Sequence, residues 1–257
     1  MLYKKLPFKL YTLIVTFVAA GASAGEVNNV PASVKALENQ GLQILKEFST
    51  GTNLRAFAAL TGSQPIGVYL SNDGSVIVGT RLDAKGFRLD ESKIKEVAEY
   101  VKSENEWGKL ESSEWILDGK LDAPRVVYVF SDPNCPHCHR FWQSARPWVE
   151  AGKVQLRHII VGIIQEDSPN KAASILLSKN RSFSLRNNEI NHANGGIKPV
   201  EIIPSHIQKI LEENQKLMTT LGLAGTPGII NRRNSFEINK ITGTPQPDLL
   251  IEILGNL

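Results

Sequence analysis

Sulfur is scarce in this chain, which has two cysteines and two methionines in 257 residues. That excludes the disulfide framework that staples small exported domains, so the fold must rest on a hydrophobic core. The one available pair, Cys135 and Cys138, would close a loop too short to constrain the unfolded chain. Its value is chemical. Long hydrophobic runs are missing too. The apolar stretch Leu10 to Ala20 falls short of the ~20 residues that span a bilayer. Internal repeats and low-complexity tracts are absent from an otherwise globular composition.

What stands at the start reads as an address. Lys4, Lys5 and Lys9 precede the short apolar run, and Ala22-Ser23-Ala24 sets small residues where a signal peptidase cuts. Residues 1–24 are therefore expected to be a signal peptide, with the mature chain starting at Gly25. The segment carries three Lys and no acid, so the formal charge of +3 becomes +3 − 3 = 0 after its removal. No basic stripe remains for a nucleic-acid partner.

The rest divides by pattern. Ala32 to Phe48 reads as a helix followed by a strand, interrupted at Gly41. Ile66–Leu70 and Val76–Thr80 are β-rich runs around the hairpin signal Ser71-Asn72-Asp73-Gly74. Residues 25–87 thus form a small α+β unit, too small to bury much surface without a second copy. Ser92 to Trp107 has helical spacing on a mostly polar circumference, as in a helix bridging two domains, and 88–118 is the linker region. From 119 to 257 the order is strand, helix, strand, helical insertion at about 165–221, strand, and a helix at Pro247–Leu254. The fold class is α/β, or α+β overall.

One segment carries chemistry. The apolar strand Val126–Phe130 runs into Ser131-Asp132-Pro133-Asn134-Cys135-Pro136-His137-Cys138-His139. A helix is predicted to start at the first Cys, with Asn134 as N-cap and Pro136 at an early position. Three-residue spacing puts both sulfurs on one helical face. Unpaired N–H groups and the helix dipole favour a thiolate at Cys135, the expected exposed nucleophile, with Cys138 buried as the resolving sulfur. The His137 imidazole is expected to tune the pair by hydrogen bonding to the thiolate, and His139 to lie at the surface. Gly225-Thr226-Pro227 leads into an apolar strand, where a Thr–Pro bond is either cis or an ordinary trans turn.

These residues carry a resemblance. Glu114-Trp115-Ile116-Leu117-Asp118-Gly119-Lys120, Asp122-Ala123-Pro124, the run Val127 to Pro136, Phe141 to Val149 and Gly152 to Arg157 resemble the periplasmic disulfide isomerase family DsbC/DsbG, and within it the DsbG branch. The likeness extends to Pro31–Glu38 and Asn214–Met218. It implies a V-shaped homodimer with N-terminal dimerisation domains, linker helices and C-terminal thioredoxin-like catalytic domains. It further implies that Thr226-Pro227 is a cis-proline substrate-binding element, that no cofactor is used, and that a DsbD-like membrane reductase keeps the cysteines reduced. Exported proteins with disulfides or oxidised cysteines would be the substrates, with chaperone activity alongside. One departure matters: the DsbG branch usually has Tyr where this chain has His137, and Cys-Pro-His-Cys is the arrangement of the oxidase DsbA.

The alternatives are therefore a DsbA-like oxidase and, in a different class, a redox-independent chaperone. Cys135 to His139 also fits the C-x-x-C-H haem attachment pattern, with Met218 as the opposite ligand. The strand feeding the motif and the downstream Thr226-Pro227 argue against haem. The remaining His residues lack the paired spacing of a zinc site.

Overall fold

A computed structural model describes residues 30–234 and 237–257. The expected signal peptide lies outside the described residues. Helix α1 (Ala32–Lys35) passes into a 3₁₀ turn (Ala36–Gln40) that ends at Gly41, whose φ of 87° is left-handed and suits a residue without Cβ. Four strands follow, β1 (Leu42–Ser49), β2 (Arg55–Thr61), β3 (Gln64–Leu70) and β4 (Val76–Gly79), paired antiparallel in chain order. The β-rich runs on either side of Ser71–Gly74 are β3 and β4.

Strand β2 was not foreseen, because Ala56, Ala58 and Ala59 lack the branching that marks strands. Their size has a use in packing. Alternate residues face opposite sides: Ala56 and Ala58 meet Ile94, Val97 and Ala98 of the following helix, while Phe57 and Ala59 meet Val34 and Leu37.

That helix, α2 (Glu91–Glu111), is longer than the pattern predicted. Its start is tied to the N-terminal sheet through Asp90, which accepts from Arg81 Nε (2.7 Å), Arg81 Nη2 (2.8 Å) and Tyr69 Oη (3.1 Å). Its far end buries Trp107 and Leu110 in a different core, among Tyr128, Phe130, Met218 and Ile230. The extra turn forms because Leu110 is fully buried there.

The second sheet has the order β5-β7-β6-β8-β9, from β5 (Ile116–Asp118), β6 (Arg125–Ser131), β7 (Val154–Ile160), β8 (Gly228–Arg232) and β9 (Ile238–Thr242). Only β6 and β7 are parallel. Strand β5 lies within the stretch read as linker, yet it pairs with β7. Helices α3 (Pro136–Glu150), α4 (Ser168–Leu177), α5 (Arg181–Ile190), α6 (Ser205–Thr220) and α7 (Pro247–Leu254) complete the domain. Central β6 is covered on both faces: Val127 and Val129 pack on Phe141 and Ala145 of α3 and Ile253 of α7, and Tyr128 and Phe130 on α2 and α6. Helices α4 to α6 are the insertion, broken as expected at Gly195 and Gly196, both with positive φ. Among the described residues no helix is long and apolar enough to cross a membrane.

Candidate active site

Strand β6 delivers the chain to Asp132, and a two-residue turn then starts α3. The helix N-cap is Cys135 rather than the expected Asn134. The Cys135 sulfur accepts from the Cys138 backbone N–H at 3.1 Å, as a Ser or Asp oxygen would at that position. Asn134 is drawn away into the insertion, where its Nδ2 donates to Asp167 Oδ1 (2.8 Å) and Ser168 Oγ (2.9 Å) and its Oδ1 accepts from Lys171 Nζ (2.7 Å). Pro136 takes the first helical position, where no N–H is needed.

Both cysteines are free thiols. The expectation that Cys135 is exposed is corrected: it is 2% exposed and Cys138 3%. The sulfur that caps a helix turns inward, and the loop carrying Thr226 covers it. The Thr226–Pro227 bond is cis, and the Thr226 carbonyl lies 3.5 Å from Cys135 Sγ, accepting from the thiol. The Thr226 side-chain hydroxyl is buried beside the pair. It faces both sulfurs closely enough to favour their anionic forms.

The two thiols part company in acidity. Donation from the Cys138 thiol is the largest influence on Cys135. With the Thr226 hydroxyl and the backbone N–H groups of Cys138 and His137, it outweighs burial and lowers Cys135 to about 7. Burial dominates at Cys138 and pushes it well above the ordinary thiol value, reinforced by the hydrogen bond to Cys135 and by the like charge there. At neutral pH one sulfur is substantially thiolate while its neighbour keeps its proton. Such a pair titrates as a coupled unit.

His137 sits beside the pair but turns outward. Its backbone N–H serves the Cys135 sulfur, whereas its imidazole Nδ1 is 3.1 Å from Thr244 Oγ1 and 2.8 Å from Arg140 Nη2. The imidazole–thiolate hydrogen bond expected from the sequence is not among the contacts formed. His139 is not a plain surface residue. Its Nδ1 lies 3.0 Å from Glu189 Oε2 and its ring stacks on His192 at 4.5 Å. Burial raises Glu189 to about 7 and lowers His139, so the carboxyl still holds much of its proton at neutral pH beside an uncharged imidazole. Met218 is packed in the α2–α6 core. No group of three or more His, Cys, Asp or Glu among the described residues is placed to hold a metal ion.

Sequence reasoning missed Asp132, Ser168, Glu189 and Thr244. Asp132 stood inside the motif, but apart from the Asn134 N–H its side-chain partners lie 31 to 36 residues away and no local pattern signals them.

Two sulfurs one helical turn apart, one ionised near neutrality and the other held protonated, are what stepwise thiol–disulfide exchange requires. Residues 111–193 match the family model described as Thioredoxin. The protein is a thiol–disulfide oxidoreductase with a thioredoxin-like domain. It is 43% identical over 255 residues to the thiol:disulfide interchange protein DsbG of Pseudomonas aeruginosa, covering 98% of this chain and 99% of that one. To the protein of the same description from Escherichia coli it is 37% identical over 248 residues, covering 95% and 98%. The chain belongs to the DsbG family of thiol:disulfide interchange proteins.

Proposed function

We propose that the protein works in the periplasm as a homodimeric disulfide isomerase and reductase, with chaperone activity, on exported proteins with wrong disulfides or single sulfenylated cysteines. The observation that carries this reading is the N-capping sulfur of Cys135 facing Thr226-Pro227, beside a Cys138 that keeps its proton. The Cys135 thiolate attacks one sulfur of a substrate disulfide, forming a mixed disulfide and releasing the other sulfur as thiolate. In isomerisation a different substrate thiolate, freed by exchange within the substrate, attacks the substrate sulfur of the mixed disulfide, so a new substrate disulfide forms and Cys135 leaves as thiolate with no net electron transfer. In reduction Cys138 loses its proton and attacks Cys135, the bound substrate sulfur leaves as a second thiolate, and the pair is left as a disulfide whose two electrons a DsbD-like membrane reductase restores. With a sulfenic acid, Cys135 forms the same mixed disulfide and hydroxide leaves as water.

The backbone of Thr226 and Pro227, opposite the nucleophile, is the surface on which an extended substrate segment pairs. Pro136 and His137 set the potential of the pair, Pro136 by starting the helix without a donor and His137 through its N–H to the sulfur. An oxidase direction is favoured by the Cys-Pro-His-Cys order, and the likeness to DsbG along nearly the whole chain supports the isomerase and reductase reading instead. Domain assignments follow the same reading: 25–87 for dimerisation, 88–118 as linker region and 119–257 for catalysis, with residues 1–24 as the export signal.

The test is acid trapping in cells. The wild-type pair is expected mainly reduced, and Cys138→Ala is expected to accumulate covalent complexes with exported proteins on non-reducing gels. A mainly oxidised wild-type pair makes the protein an oxidase, and the absence of covalent complexes removes Cys135 as nucleophile.

A further inference from the structure

Three residues before the nucleophile, the Asp132 side chain is 1% exposed and has no basic partner of its own among the described residues. Backbone and hydroxyl donors surround it instead. Oδ1 accepts from the Asn134 N–H (2.8 Å) and Ser168 Oγ (2.9 Å), and Oδ2 from the N–H groups of Ile163 (2.6 Å) and Ile164 (3.0 Å). Its backbone is engaged as well. The Asp132 carbonyl accepts from the Cys135 N–H at 3.1 Å, and its N–H faces the Cys138 sulfur. The turn has further ties to the insertion: Asn188 Nδ2 donates to the Pro133 carbonyl at 3.1 Å, and Asn134 binds Asp167, Ser168 and Lys171. The loop that brings Ile163 and Ile164 to the carboxylate passes so close to α4 that a Cβ on Gly162 would stand 2.6 Å from Pro169 Cα.

We infer that the Asp132 carboxylate is a positioning residue for thiol–disulfide exchange, clamping the reactive turn to the helical insertion so that Cys135 is held as the N-cap of α3. The chemistry of the site fits an anion and no neutral replacement. A carboxylate accepts at both oxygens, and three of its four donors are backbone N–H groups that cannot turn away. An amide in either orientation sets its own N–H against one or two of them. The turn then loses its anchor, and the Cys135 sulfur loses alignment with the N–H groups of His137 and Cys138 that favour its thiolate. A second effect has the opposite sign. A nearby negative charge disfavours a thiolate, so losing the charge without losing the geometry makes Cys135 more acidic. The sign of the change therefore separates the two roles.

The experiment uses the full chain with Asp132→Asn and, separately, Ser168→Ala, which deletes one donor and leaves the charge. Thiolate absorbance and the rate of iodoacetamide alkylation are followed against pH, with near-ultraviolet circular dichroism as the check on folding. Asp132→Asn is expected to move the Cys135 midpoint up by about one pH unit, which is ~tenfold less thiolate below the midpoint. Ser168→Ala is expected to move it the same way by less. The glutathione equilibrium shifts towards the disulfide in parallel, because the reduced form has lost its stabilised anion. A midpoint unchanged or lowered in folded Asp132→Asn overturns the inference, a lowered one marking a purely electrostatic neighbour. If that variant does not fold, Ser168→Ala decides, and a wild-type midpoint there overturns it. A failure of this kind leaves the exchange chemistry of Cys135 standing, since that is read from covalent complexes of Cys138→Ala.

Discussion

The N-terminal sheet and the catalytic sheet solve burial in different ways. The first has a thin core of small side chains, Ala56, Ala58 and Ala59 among them, and leaves Ile77, Leu82, Phe87 and Leu89 about half exposed or more. The second buries its central strand between helices on both faces, and Tyr128, Phe130, Phe141 and Leu156 are all fully buried there. That surplus of apolar packing lets it enclose more polar groups than the thin unit with its Asp90, among them Asp132, His158, Lys171, Asn188 and Glu189. Buried polar groups cost stability unless they are satisfied, so a domain holds them where they serve a purpose. Reactivity is assembled where the core is deepest.

The largest effect expected on this contrast is in the deep core. Phe130→Ala should destabilise the catalytic domain by ~4 kcal/mol, a cavity that packed helices on both faces cannot close. Chemical denaturation measures it, and a loss of only ~1 kcal/mol would mean the core is far softer than described.

Next comes the buried carboxyl at Glu189. In the unfolded chain it ionises at an ordinary carboxylate value, and in the fold only at about 7. Between those values the folded state holds a proton that the unfolded state has lost, so stability falls as pH rises. The loss is complete above pH ~7 and amounts to about 3 kcal/mol. Glu189→Gln should therefore gain stability at pH 8 and nothing at pH 4. Equal gains at both values would place the cause in packing rather than ionisation.

The smallest effect belongs to the thin unit. Ile77→Ser should change the unfolding free energy of the isolated chain by less than ~0.5 kcal/mol. Yet sedimentation should show it dissociating at higher protein concentration than wild type. An unaltered dissociation constant would remove that face from the dimer interface.

How legible all this was depends on distance along the chain. The turn Ser71–Gly74, the break at Gly195-Gly196, the strand Val126–Phe130 and the helix Pro247–Leu254 announce themselves through neighbours a few residues away. Strand β9 does not, since Asn239 and Lys240 break its apolar pattern and only pairing with β8 makes it a strand. The cysteines were legible as a pair because their relation is local. Their burial was not, because the covering loop returns from Thr226, 91 residues after Cys135. Burial likewise decides His139. Its neighbours in sequence suggest a surface imidazole, while Glu189 meets it from 50 residues away.

Helix α2 belongs to both cores, with Ile94 and Val97 in one and Trp107 and Leu110 in the other, and Arg232–Glu104 and Lys240–Glu106 ion pairs pin its far half to the catalytic sheet. Its 21 residues span ~32 Å, and each one added or removed turns everything beyond it by about 100°. It works as both spacer and compass. A one-residue deletion midway would leave each core's own sequence intact while aiming the sulfur in a new direction relative to the N-terminal sheet.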